Sequence, residues 1–125
     1  TVPVARRPLY HAAAVFASNY LAGLIGAAGR LMAQAGIPEE EALRAILPLA
    51  RGSLENLGRL GAVRALTGPI SRGDVETVRL HLRTLEPRER RLYASVGLEV
   101  LALAREGELD EASAGELQEM FERET

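Results

Sequence analysis

Few side chains able to move protons or hold charged groups stand where hydrophobic periodicity alone would not put them. The first group, His11, Ser18 and Asn19, lies in an otherwise apolar stretch. A helix turns about 100° per residue, so His11 and Ser18 project within about 20° of each other and Asn19 about 80° away. Ala22, Gly26 and Gly29 continue that side with almost no side chain, which lets a backbone or a flat ligand come close. In the functional reading this is the floor of a cleft, where His11 exchanges protons near neutral pH and Asn19 fixes a substrate oxygen. In the alternative it is a helix-packing seam whose polar groups are satisfied internally.

Two further groups have the same double character. Ser53 and Asn56, three apart in Arg51-Gly52-Ser53-Leu54-Glu55-Asn56, are neighbours beside a leucine face and could hydrogen-bond a ligand or simply end a helix. Thr67-Gly68-Pro69-Ile70-Ser71-Arg72-Gly73-Asp74 is a constrained loop that runs into a helix start. There, free N–H groups and Arg72 suit an anion, while a well-made turn capped by Asp74 is the structural alternative. His81 has no partner at metal-ligand spacing and reads as a boundary residue, so no metal site is expected. The Arg88, Glu89, Arg90, Arg91 cluster reads as a solvated face.

Composition limits the chemistry further. All fifteen basic residues are arginine, so a lysine Schiff base or lysine general acid is excluded, and without cysteine there is no thiol nucleophile or thiolate metal site. A net charge of -2 argues against a nucleic-acid partner. No phosphate-binding loop, nucleophile elbow or GxGxxG turn is present. The apolar run from Ala12 to Ala28 is mostly alanine and glycine with Ser18 and Asn19 inside it, and reads as a buried helix rather than a membrane span. The start Thr1-Val2-Pro3-Val4 resembles no signal peptide and reads as a cut inside a longer chain, with a cytoplasmic location as the default.

The elements that must position these residues all read as helices, since aromatics are 4% and no segment alternates with period two for long. One domain of five or six helices is expected. The first opens at Pro8 and runs to about Ala35; apolar on nearly every side, it should be the central helix that the others wrap. Pro38 and Glu39 to Glu41 start a second helix with a core face of Leu43, Ile46, Leu47, Ala50, Leu54 and Leu57, kinked or broken at Pro48. A loop from Gly61 to Gly73 follows. Asp74 caps a helix with Val75, Val78, Leu82 and Leu85 inward, and Pro87 restarts one to about Arg105 with Leu92, Val96, Leu98, Val100, Leu101 and Leu103. The last begins near Ser113, where Ser113 to Glu116 has capping-box spacing, and buries Leu117, Met120 and Phe121.

Arg7-Pro8-Leu9-Tyr10-His11 through Ser18-Asn19-Tyr20, Arg51 to Leu57, and Leu66-Thr67-Gly68-Pro69 to Asp74 together resemble a known domain. It is the C-terminal domain of unknown function that follows a Rossmann NAD(P)-binding domain in a bacterial family of oxidoreductases, with the resemblance running from about Arg6 to Ala104. That domain is similar to the helical domains of pyrroline-5-carboxylate reductase and of the 3-hydroxyisobutyrate and 6-phosphogluconate dehydrogenases. The resemblance implies a 6-phosphogluconate dehydrogenase-like helical bundle over 8–125, preceded by a linker remnant over 1–7. It also implies an upstream Rossmann domain of the same polypeptide holding NAD or NADP, an active site in the cleft between the domains, and a homodimer.

In the hydroxyacid dehydrogenases the corresponding first helix supplies a catalytic lysine with an asparagine one turn later. This chain departs from that pattern, with His11 and Asn19 eight apart and no lysine. The expectation is therefore that His11 and Asn19 are catalytic, while Ser18, Ser53, Asn56, Thr67, Gly68 and Arg72 bind a small polar or anionic substrate. A stand-alone helical interaction module without catalysis is the alternative.

Overall fold

The computed structural model describes residues 1–125. Seven helices and no strand make the protein all-α. Helix α1 covers Val4–Gln34, α2 Glu39–Leu60, α3 Ala62–Ala65, α4 Pro69–Arg72, α5 Val75–Thr84, α6 Pro87–Arg105 and α7 Glu111–Glu124. The chain divides into two compact units, Thr1–Gly52 and Ser53–Thr125, and the division falls inside α2.

In the first unit, α1 opens with a 3-10 turn at Val4–Arg6, four residues ahead of Pro8, and Pro8 sits at the first α-helical turn. A π-helical turn, Phe16–Tyr20, then interrupts the α-helix between Arg7–Val15 and Leu21–Gln34. Burial departs from the sequence reading. Along α1 only Ala27 is buried, while Leu9 and Phe16 are 72% and 67% exposed. The expected central, wrapped helix is therefore largely exposed along its length. By length and composition alone α1 is also long and apolar enough to cross a membrane.

Of the kink or break expected at Pro48, the break does not occur: α2 passes through it as one helix of 22 residues. Its buried positions are Ala42 and Ile46, whereas Leu43, Leu54 and Leu57 of the predicted core face stay 43–50% exposed. The pattern that would serve as a core face is present, but these leucines stay about half exposed.

The second unit holds the core. Val78 and Leu82 of α5, Ala94, Leu101 and Ala104 of α6, and Ala114, Leu117, Met120 and Phe121 of α7 pack with Ile70 of α4. On α6 the buried face is Ala94, Gly97, Leu101 and Ala104; of the predicted large side chains Leu101 is buried, Leu98 and Val100 pack at the core's margin, and small residues fill the rest. The reason is Phe121, whose ring is fully buried; a Cβ built on Gly97 would stand 2.8 Å from its Cζ. The ring fills the volume that a larger α6 side chain would need.

Two aspartates cap the helices of this core. Asp74 Oδ1 accepts from Thr77 N at 3.2 Å and starts α5. Asp110, rather than Ser113, caps α7, with Oδ2 accepting from Ser113 N at 2.9 Å, so that helix begins at Glu111. The turn between α4 and α5 depends on Gly73, at φ +69° with Ser113 Oγ only 3.0 Å from where a Cβ would stand. Any other residue there meets both backbone strain and a collision.

Candidate functional site

His11, Ser18 and Asn19 all project from α1, exposed and without a hydrogen-bond partner in the chain. The seam with internally satisfied polar groups is therefore not formed within this chain. Ser18 and Asn19 lie inside the π-helical turn, between Phe16 and Tyr20, whose rings meet edge to face at 4.9 Å. A π turn takes in one extra residue, which rotates everything after it by about 100° relative to an unbroken α-helix. Ala22 and Gly29 consequently do not continue the His11 side as expected but face about a quarter turn away, whereas Gly26 stays within about 40° of it.

Gly26 and Gly29 line a cleft of about 270 Å³ together with Ile25, Arg30, Ala33, Glu39 and Leu43. Neither glycine is demanded by packing inside the chain. A Cβ on Gly29 would meet nothing within 4 Å, and one on Gly26 only Arg30 Nη1 at 3.9 Å. The open space beside them is large enough for another backbone or a flat group to approach.

The remaining predicted residues belong to the second unit. Ser53 is exposed and Asn56 half-buried on α2, where Asn56 Oδ1 accepts from Arg59 Nη2 at 3.0 Å. The asparagine amide nitrogen is left to donate elsewhere. Thr67 is exposed ahead of α4, and the Gly68 carbonyl accepts from Ser71 Oγ at 3.0 Å.

The loop's expected anion site is already filled from inside. Asp74 Oδ2 accepts from Thr77 Oγ1 at 2.7 Å and lies 3.7 Å from Arg72 Nη2, so the start of α5 carries its own carboxylate. These bonds, led by that from the Thr77 hydroxyl, hold the Asp74 carboxyl below its ordinary value of 3.8. The turn capped by Asp74 is the arrangement adopted. Arg72, with 61% of its side chain exposed, keeps N–H groups pointing to solvent.

Two features were not visible as patterns in the sequence. His81 is not idle: its Nδ1 lies 2.9 Å from Tyr93 Oη, tying α5 to α6, and burial pushes the Tyr93 phenol up from 10.0. Arg90 is not on a solvated face, since its Nε and Nη2 donate to the carbonyls of Leu82 and Leu85 at 2.9 and 2.7 Å. It thus closes the C-terminal end of α5. No group of three or more carboxylates and histidines is placed to hold a metal.

These features define an all-helical domain with a well-packed C-terminal unit and a long, largely uncovered N-terminal helix. The chain belongs to the family described as Domain of unknown function (DUF2520), whose model matches residues 1–100. No curated protein and no solved structure matches the chain.

Proposed function

We propose that this domain is the substrate-binding and dimerisation half of an NAD(P)-dependent oxidoreductase, with the nucleotide held by a Rossmann domain upstream in the same polypeptide. The observation that carries this reading is the bare α1. Ala27, Ala42 and Ile46 are the only buried apolar residues before Gly52. So small a core does not offset the entropy of ordering that many residues. A long apolar helix in water is stable only when its face is covered, and the reading supplies two covers, a second copy of the helical domain and the nucleotide domain.

In this scheme the π turn places Ser18 and Asn19 toward the cleft between domains. Such turns are rare and frequent at functional sites, because the extra residue aims side chains away from the regular helical register. His11 donates or accepts the proton that accompanies hydride transfer, and Asn19 holds the substrate oxygen. Ser18, next to it on the same turn, orients the same small polar substrate.

The test uses the full-length polypeptide. Nicotinamide fluorescence should report binding of NADH or NADPH, and a panel of small hydroxy and imino acids should reveal turnover. His11→Gln should lower that turnover roughly 10²- to 10⁴-fold with cofactor binding unchanged. A full-length protein that binds neither dinucleotide contradicts the reading. The bare helix serves a helical interaction module equally well, and that second reading takes over if assembly persists without cofactor binding.

A further inference from the structure

The second unit carries a groove that the proposed chemistry does not use. Helices α5, α6 and α7 border an open groove of about 500 Å³ whose lining includes four arginines, Arg79, Arg83, Arg90 and Arg123, and one acidic residue, Glu124. Its apolar lining residues are Leu82 and Met120, both almost fully buried. Four arginines converging on one concavity contrast with a chain whose net charge is -2.

The arginines differ in how tightly they are held. Arg90 is fixed by its two bonds to α5 carbonyls, and neither uses Nη1. Arg83 has no partner in the chain. Arg79 lies 3.5 Å from Glu76 and 3.6 Å from Glu116, and Arg123 lies 3.9 Å from Glu119. Those carboxylates are all well exposed, so the pairs are weak and readily exchanged for another anion. The groove thus offers one immobilised guanidinium, one free one and two exchangeable ones above an apolar surface.

We propose that this groove binds a small organic anion, a phosphate or carboxylate head on a short apolar body. Planar guanidinium groups meet either head in bidentate fashion, and the arginine methylene stems lying over Leu82 and Met120 take the apolar part. The proposal is independent of the cleft chemistry assigned to α1.

Calorimetric titration of the chain with hexyl phosphate, hexanoate and inorganic phosphate tests it. At least one of the two hexyl ligands should saturate the site with a Kd below about 1 mM, and inorganic phosphate should bind more weakly. The tighter of the two identifies the head group. The variant Arg83→Gln/Arg123→Gln removes no bond to the backbone, so it should melt like wild type while losing roughly tenfold or more in affinity. Absence of saturable binding by both hexyl ligands overturns the proposal, as does affinity unchanged in the folded double variant. Inorganic phosphate binding as tightly as hexyl phosphate overturns the role of the apolar floor.

Discussion

A methyl group at Gly97 has nowhere to go. The built Cβ meets Phe121 Cζ at 2.8 Å, and that ring is fully buried in the same core cluster as Leu101 and Leu117, so moving it aside disturbs close packing. Gly97→Ala should therefore destabilise the second unit by about 1–3 kcal/mol, read as a lower denaturant midpoint at unchanged slope. A variant as stable as wild type would mean that the ring relocates. Sequence periodicity identified Phe121, Leu117 and Met120 as inward but could not identify their partners on α6. A core of small residues around one large ring carries no more pattern than the surface alanines do. Arg90 was equally illegible, because its bonds go to carbonyls five and eight residues away, which no charge pattern encodes.

Caps govern the elements, and both major ones titrate. The Asp74 and Asp110 carboxyls are held below 3.8 in the folded protein, chiefly by the Thr77 hydroxyl and by the Ser113 backbone N–H respectively. A lowered folded value stabilises the fold above the unfolded value, and this contribution is lost as the pH falls through 3.8 toward the lower folded values. In Asp74→Ser/Asp110→Ser the hydroxyls keep the caps without titrating. Its melting temperature should fall less steeply than that of wild type between roughly pH 5 and pH 2. Parallel curves would show that the caps do not set the acid limb.

Helix starts were legible to differing degrees. Asp74 stood alone before its helix and was read correctly, whereas Asp110 and Ser113 both had cap chemistry and geometry chose the earlier. Positions on α1 beyond the π turn were misplaced because a uniform 100° rotation cannot anticipate an inserted residue. The continuity of α2 through Pro48 shows that one missing N–H on an exposed side is tolerated when both flanking turns remain helical.

For the molecule as a whole, the family match stops at residue 100 while the core does not. Leu101, Leu117 and Phe121, three of the four largest fully buried side chains, lie beyond it. Ending the chain at Gly107 would strip α7 from α5 and α6 and should abolish cooperative unfolding of the second unit. A sharp transition in that truncated chain would contradict the packing described.

The all-helical class followed from composition and breaker residues, and most helix limits from proline and glycine. What sequence could not reveal was which apolar faces the chain itself covers. The leucines of α2 have the spacing of a core face, and that spacing is the same whether the covering surface belongs to this chain or to another.

The most direct test of the account is therefore the molar mass in solution, by light scattering or sedimentation, of the chain and of Leu9→Glu/Phe16→Glu. The account predicts wild type at twice 13.5 kDa and the charged variant at 13.5 kDa, with loss of helix from the first unit. A wild-type chain that is monomeric at 13.5 kDa with α1 fully helical, or a dimer indifferent to both substitutions, would contradict the claim that the bare face of α1 is an interface.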